Sequence, residues 1–324
     1  MKKNRFQSCR MFLFFFHQNA KWLVFLLFCS PNKASMDRRR FITASVEKGF
    51  FLAIGLSGMH GGSRFNPLVG VCTNATNAFL VLKAGGDFVE EAVGRFLKPG
   101  SDYEDFEKSL NFLKESPLPV PSCNSFFPAE LRLTGDEVDE AKVFQWAETA
   151  FSRAQQAGVR IIVLGSGGAR KIPDGFAYDK AFSQFTNLLA RMGEIAEKYQ
   201  VTIALEHLNR QETNFINTLE EANAIVSKVN HPAVGLLCDV YHMLMEDETL
   251  RSILKAGKRI VHCHVAEKTN RAAPGTHGQD FVPYFRALKK AGFKGKISIE
   301  CNWNDFPVEV EHSLKYIKDQ INLV

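Results

Sequence analysis

The sequence has no cysteine pattern that indicates a disulfide framework. Seven cysteines occur among 324 residues, and no two of them stand in a Cys-x-x-Cys spacing. Cys9 and Cys29 lie near the N-terminus, and the other five are an odd number, which does not fit a fully paired scaffold. The fold is therefore expected to depend on a hydrophobic core and not on covalent cross-links.

Low-complexity tracts are also missing, and so is a Gly-x-Gly-x-x-Gly fingerprint of dinucleotide-binding sheets. Charged residues make up 23% of the chain and apolar residues 45%, a composition typical of a folded domain. The glycine-rich segment 165–168 is not followed by Lys-Ser or Lys-Thr, so it is only weak evidence for phosphate binding.

Acidic residues are scarce at the N-terminus. Of the 40 basic and 35 acidic residues, residues 1–67 hold 11 and 2, which leaves 29 and 33 for the rest, a net charge of −4. A broad nucleic-acid surface should be basic, so the folded part is not expected to bind DNA or RNA.

Residues 1–66 are predicted to be a leader that is not part of the fold. The segment 38–42, Arg-Arg-Arg-Phe-Ile, has the twin-arginine pattern and is followed by an apolar run at 50–56. Met36 stands just before it and is a candidate start. The apolar runs at 11–16 and 22–29 are split by Lys21 and polar residues, so they make a poor membrane span. Export to the periplasm is the expectation, and a plain basic cluster on a cytoplasmic protein is the alternative.

From residue 68 onward, short apolar runs alternate with longer amphipathic stretches, which predicts β/α units and a parallel sheet. The eight predicted strands are 68–73, 87–93, 118–125, 159–164, 201–206, 233–239, 259–265 and 296–300. The predicted helices are 103–114, 137–157, 178–199, 219–229, 248–256, 281–291 and 308–321, with a weaker pattern at 77–84. Gly158 and Gly292 are predicted to end helices. Eight units in one array predict a single (β/α)₈ TIM barrel over 67–324, and an open doubly wound sheet is the alternative.

Each of the last four predicted strands ends in a side chain that can bind a metal ion. Because the carboxyl ends of barrel strands meet on one rim, these side chains should converge there. Three carboxylates this close would repel one another, and a divalent cation would resolve the conflict. The set suits Mn²⁺ or Mg²⁺ best, and Co²⁺ or Zn²⁺ are also compatible. The four candidates are Glu206, Asp239, His264 and Glu300.

A single acid at a strand end is usually solvated or caps the next helix, but four such side chains on consecutive strands are a much rarer coincidence. Cys238, Cys263 and Cys301 each stand beside a proposed ligand and should point to the opposite, helix-covered face. His262 shares the face of His264 one layer deeper and is expected to be buried and hydrogen-bonded.

Three segments resemble motifs of the ketose 3-epimerases, which belong to the xylose-isomerase-like sugar isomerase/epimerase superfamily together with hydroxypyruvate isomerase-like barrels. Residues 206–212 resemble the family's Glu-x-x-Asn-Arg-x-Glu, and residues 239–243 its Asp-x-x-His-Met. Residues 264–278 resemble its His-x-x-Glu…Asn-Arg…Pro-Gly-x-Gly segment, with one extra residue before the arginine. The similarity extends from residue 68 to the C-terminus and is strongest after residue 159.

The resemblance implies that the four candidate ligands hold one metal ion and that Glu206 and Glu300 are also the catalytic acid/base pair. It further implies that His242, Arg271 and Glu212 bind substrate hydroxyls. Each of these three residues also has a structural alternative: a helix cap, a rim charge and a solvated loop acid, respectively.

The implied chemistry is proton abstraction beside the carbonyl of a sugar. A divalent cation stabilises the enediolate that results, and two carboxylates on opposite faces of the carbon can remove and return the proton. Return on the far side inverts the centre, whereas return to the neighbouring carbon interconverts ketose and aldose.

Three other functions compete with this one. A metal-dependent lyase or hydrolase acting on an oxidised sugar or glycoside would use the same site. An abasic-site endonuclease would need additional histidines from the early strands and an Asp-x-His, which Gln279-Asp280-Phe281 replaces here. A sugar-binding protein without turnover is the non-enzymatic alternative. The sequence does not identify the sugar, and it leaves the oligomeric state open, a homo-oligomer being compatible with it.

Overall fold

A computed structural model describes residues 65–324 and, in addition, the backbone of two short N-terminal strands. These strands, β1 (Leu13–Gln18) and β2 (Lys21–Leu26), pair antiparallel. The twin-arginine segment 38–42 and the apolar run 50–56 lie outside the described residues, so export and the domain boundary at residue 66 stay predictions. Among the described residues, no helix is both long enough and apolar enough to cross a membrane.

Eight parallel strands close into a barrel in which neighbours follow chain order, and the last strand pairs with the first. This confirms the predicted (β/α)₈ architecture. All eight predicted strands are present: β3 (Val69–Cys72), β4 (Val89–Ala92), β5 (Ser122–Asn124), β6 (Ile161–Leu164), β7 (Thr202–Glu206), β8 (Val234–Asp239), β9 (Ile260–Val265) and β10 (Lys296–Ile299).

Strand β5 is shorter than predicted, and its sequence explains why. The predicted run 118–125 contains Pro119 and Pro121, which have no backbone N–H to donate to a neighbouring strand. The strand therefore begins only at Ser122.

Helices surround the barrel at the predicted places, with short additional turns after several strands. They span Ala78–Lys83, Val93–Phe96, Tyr103–Glu115, Glu140–Ala157, Gly167–Arg170, Tyr178–Lys198, Leu219–Val229, Val240–Met245, Arg251–Ala256, Val282–Ala291 and Phe306–Asn322. The helix predicted at 137–157 begins at Glu140, because the Asp139 side chain caps it by accepting from the N–H of Lys142. Gly158 and Gly292 end their helices in the left-handed region, with φ of 73° and 81°.

The core is divided by the barrel wall. The larger part lies between strands and helices and contains Cys238 and Cys263, as the alternation of strand faces predicted. A small apolar cluster formed by Val163, Ala204 and Leu237 is separate from it. Glu90, Ser122, His262 and Ser298 are buried polar side chains of the strands that hydrogen-bond to one another.

Packing between helix and barrel predicts a large stability difference between two phenylalanines. Phe151 is fully buried on the helix Glu140–Ala157, whereas Phe79 is 67% exposed. We expect Phe151→Ala to destabilise the protein by about 3–5 kcal/mol, because it leaves a cavity. Phe79→Ala, the matched control, should change stability by no more than about 0.5 kcal/mol. Urea denaturation followed by circular dichroism measures both, and equal effects would contradict this account of the core.

Candidate metal centre

The four predicted ligands lie together at the carboxyl ends of β7 to β10. Glu206 and Asp239 are the last residues of β7 and β8, His264 lies near the end of β9, and Glu300 directly follows β10. In the sheet register Asp239 is the partner of His264. One ligand atom from each of the four residues lies within 4.8 Å of the others.

The two ring nitrogens of His264 face different surroundings. Nδ1 lies 3.2 Å from Glu206 Oε1, 3.3 Å from Glu300 Oε2 and 4.0 Å from Asp239 Oδ2. Nε2 points into the barrel, 2.9 Å from Glu90 Oε1. Nδ1 is therefore the nitrogen that a cation held by the three carboxylates would share.

Charge is concentrated in this cluster with little exposure to solvent. Glu206, Asp239 and His264 are buried, and Glu300 is partly exposed. Burial and the nearby charges of Glu300 and Asp239 raise the pKa of Glu206. Burial opposes ionisation of Glu300, but His264 and Arg271 outweigh it and hold the pKa of Glu300 at about 2.

The donor set fits a divalent cation. Three carboxylates and one imidazole nitrogen are the ligand types that Mn²⁺, Mg²⁺, Co²⁺ and Zn²⁺ accept. Without a cation or a bound proton, the Nδ1 lone pair of His264 would face carboxylate oxygens at 3.2 and 3.3 Å, which is a repulsive arrangement.

Two further side chains, Asn124 and Arg170, hold Glu300 and Glu206 in position. Asn124, at the end of β5, donates from Nδ2 to Glu300 Oε1 at 2.6 Å. Arg170 is fully buried, and its Nη1 donates to the backbone oxygen of Glu206 at 2.6 Å. Burial lowers the pKa of Arg170 to about 10, so the guanidinium remains charged at neutral pH. The end of β7 is therefore held by a rigid donor.

Arg271 and Glu212, two of the predicted substrate-binding residues, stand at the rim of the cluster. Arg271 Nη2 lies 2.5 Å from Glu300 Oε2, and its Nη1 lies 3.3 Å from Glu212 Oε1. Its guanidinium also lies 4.8 Å from the centroid of the Tyr241 ring. The backbone of Arg271 is in the left-handed region, with φ of 50°. Such a conformation is costly for a non-glycine residue and commonly marks a functional site.

His242, the third predicted substrate-binding residue, lies beside Asp239. Its backbone N–H donates to Asp239 Oδ1 at 3.1 Å, so Asp239 caps the helix Val240–Met245. Its Nδ1 accepts the backbone N–H of Asn209 at 3.1 Å. The remaining nitrogen, Nε2, is buried without a hydrogen-bond partner and lies 3.7 Å from Asp239 Oδ2. Because Nδ1 accepts a hydrogen bond, this buried nitrogen carries the ring hydrogen.

A cavity of about 340 Å³ opens over the cluster, which is a volume suited to a small molecule. Glu206, Glu300, Glu212 and Arg271 line it together with Phe127. Phe126, in contrast, points into the core against Phe151, with ring centroids 5.3 Å apart.

The residues beside the cluster that escaped the sequence analysis include Cys72, Glu90, Asn124 and Tyr241. Glu90 had a usable signal, since two consecutive acids stand in the middle of the apolar strand β4 and one of them must point inward. Asn124 and Tyr241 had none, because their importance depends on which side chains the fold places opposite them.

Gly165, which follows β6, leaves room for the Glu206 carboxylate. A Cβ atom at Gly165 would lie 2.2 Å from Glu206 Oε2, whereas a Cβ at Gly94 would meet nothing within 4 Å. Because the obstructed group is the tip of a side chain, Gly165→Ala should fold but displace the carboxylate. We expect Mn²⁺ binding, measured by calorimetry, to weaken by about tenfold or more. Gly94→Ala, the control, should bind as the unchanged protein does, and equal binding by both variants would contradict the role of Gly165.

The chain resembles known proteins in sequence over part of its length. It is 37% identical over 113 residues to the L-ribulose 3-epimerase of Methylomonas sp. (strain DH-1), which covers 35% of this chain and 39% of that protein. It is 28% identical over 193 residues to the probable ketose 3-epimerase of Synechocystis sp., covering 56% and 64%. The matches thus span between about two fifths and two thirds of these relatives.

Solved structures share the fold over most of the chain. The D-psicose 3-epimerase of Clostridium cellulolyticum H10 with D-tagatose matches with a TM-score of 0.69 at 20% identity, over 79% of this chain and 96% of that one. The IOLI protein with a bound zinc atom matches with a TM-score of 0.60 at 20% identity, over 79% and 98%. The model of the xylose isomerase-like TIM barrel family matches residues 79–320, well over half of the sequence. The chain therefore belongs to the xylose isomerase-like TIM barrel family, as its motifs predicted.

Proposed function

We propose that this protein is a divalent-metal-dependent sugar isomerase that epimerises a ketose by abstracting a proton beside its carbonyl. The observation that carries the proposal is the pair Glu206 and Glu300. Both carboxylates lie within 3.3 Å of the same His264 nitrogen, yet they come from different strands and border one cavity. The names of the curated relatives, ketose 3-epimerase and L-ribulose 3-epimerase, support the same class of reaction.

In this proposal Glu206, Asp239, His264 and Glu300 hold the cation, with Mn²⁺ the first candidate. A cation bound there supplies the positive charge that stabilises a developing enediolate. Asp239 and His264 serve as ligands only. Glu206 and Glu300 have the second task of moving the proton.

The two carboxylates line one cavity from the ends of β7 and β10, and in this proposal one takes the proton from the substrate carbon while the other returns one to its opposite face. Asn124 and Arg271 hold the two oxygens of Glu300, at 2.6 and 2.5 Å. Gly165 leaves room for the Glu206 carboxylate, and Arg170 holds the backbone oxygen of Glu206. Proton transfer of this kind needs both groups fixed in position, because small displacements reduce the rate strongly.

Arg271, Glu212 and His242 are proposed to bind the hydroxyl groups of the sugar. Arg271 and Glu212 border the cavity, and His242 has one ring nitrogen without a partner. A neutral polyol offers both donors and acceptors, so a mixed set of this kind suits it.

Incubation with ketoses in heavy water tests the reaction directly. We expect the protein loaded with Mn²⁺ to introduce deuterium at one carbon of at least one free ketose, because the abstracted proton exchanges with solvent before it is returned. After removal of Mn²⁺, proton NMR detects the label as loss of one sugar resonance. Release of a fragment would instead favour the lyase alternative, and tight binding of sugars without any exchange would favour a binding protein.

Substitutions separate metal binding from proton transfer. Glu206→Gln and Glu300→Gln should retain part of the metal affinity but lose exchange by about 10²–10⁴-fold, since an amide cannot act as a base. Asp239→Ala should lose the metal itself. Glu107→Gln, at an exposed position of the helix Tyr103–Glu115, is the control and should exchange at the original rate. Normal turnover by Glu300→Gln would rule out its role as a base.

A further inference from the structure

A buried carboxylate stands behind the candidate metal centre, on the far side of His264. Glu90 lies on β4 inside the barrel and is 1% exposed. Its Oε1 lies 2.9 Å from His264 Nε2. Its Oε2 lies 2.6 Å from His262 Nε2 and accepts the hydroxyl hydrogens of Ser122 at 2.8 Å and Ser298 at 2.7 Å. The carboxylate thus has four hydrogen-bonding partners from three strands, β5, β9 and β10.

These contacts engage both oxygens of the Glu90 carboxylate. Oε2 accepts from two hydroxyls and faces His262, which leaves Oε1 as the acceptor that faces His264 Nε2. A hydrogen bond between them places the ring hydrogen of His264 on Nε2. With Nε2 so engaged, the ring presents Nδ1 to Glu206 and Glu300 at 3.2 and 3.3 Å.

We infer that Glu90 is a positioning residue of the metal centre: it holds a hydrogen on His264 Nε2 and so directs the Nδ1 lone pair at the cation. A neutral imidazole without such a partner has two tautomers, and only the one with its hydrogen on Nε2 leaves Nδ1 able to bind the cation. The inference rests on the proposed metal site, but it requires neither a particular sugar nor turnover.

The contacts of Glu90 indicate a functional arrangement and not incidental core packing. An apolar barrel centre would avoid the desolvation of a carboxyl group, so a carboxyl group buried there with four partners is expected to have a use. Ser122 on β5 and Ser298 on β10 both donate to Glu90 Oε2, while Oε1 faces His264, so both oxygens of the carboxylate are held. His262 completes this set at a depth that the strand alternation predicted.

The adjacent acid provides a matched control. Glu91 is 2% exposed, and it accepts from the backbone N–H of Ala75 at 2.7 Å and pairs with Arg95 at 2.8 Å. Glu90→Gln and Glu91→Gln therefore make the same change at neighbouring buried positions, but only the first touches the contact with His264.

Titration with Mn²⁺, followed by the electron paramagnetic resonance of free Mn²⁺, tests the inference without any substrate. Glu90→Gln should weaken binding by about 10–100-fold, and Glu91→Gln by less than about twofold. Glu90→Asp keeps the charge one methylene further away and should lie between Glu90→Gln and the unchanged protein. Thermal melts of all variants report folding separately. Affinity of Glu90→Gln within about twofold of the original, or an equal loss in Glu91→Gln, would overturn the inference.

A second measurement uses the unchanged protein, so it does not depend on whether the variants fold. In protein loaded with diamagnetic Zn²⁺ and isotope-labelled histidine, NMR should place the ring hydrogen of His264 on Nε2 and the metal on Nδ1. Coordination through Nε2 would overturn the inference. If both tests succeed and no ketose exchanges deuterium, the proposed reaction is wrong while the positioning role of Glu90 stands. Failure to bind either ion would remove both.

Discussion

The site is organised around three carboxylates that repel one another and lie close to the same imidazole nitrogen. Glu206, Asp239 and Glu300 all approach His264 Nδ1 within 3.2–4.0 Å. Such a group is unfavourable by itself, because each negative charge raises the free energy of ionising the others. The barrel nevertheless holds them there by the register of four consecutive strands. The fold therefore concentrates negative charge at the carboxyl ends of the strands, where a cation would be stabilised. The other residues of the site hold the three carboxylates in this arrangement.

Positive and neutral donors are distributed around this cluster according to the exposure of each acid. Glu300, the most exposed, receives Asn124 and Arg271. Glu206, which is buried, is held through its backbone by Arg170, and its Oε1 contacts His264. Asp239 is both a candidate ligand and a helix cap. Each acid thus keeps at least one oxygen turned toward the shared centre, which a tighter set of ion pairs would have prevented.

Much of this arrangement could be predicted from the sequence, and the part that could not has a physical reason. The spacing of apolar residues and the turn residues located all eight strands, since burial on both faces leaves apolar runs such as those of β6 and β8. The candidate ligands were predictable because strand ends of a barrel converge. The predicted strand β5 was too long, because Leu118 and Val120 are buried like strand residues but do not belong to the strand. Asn124, Tyr241 and Glu90 depend on contacts between distant strands, and no local pattern encodes the identity of a partner 174 residues away, as in the pair Glu90 and His264.

The polar interior of the barrel has a consequence for the evolution of this protein. Glu90, Ser122, His262 and Ser298 occupy space that aliphatic side chains could fill, and apolar replacements of buried charged groups often raise stability. Selection for thermal stability alone would therefore tend to replace these four residues with apolar ones. The barrel would then be more stable, but the site at its carboxyl end would be inactive. Retention of these four residues among homologues would therefore indicate selection for activity as well as for folding.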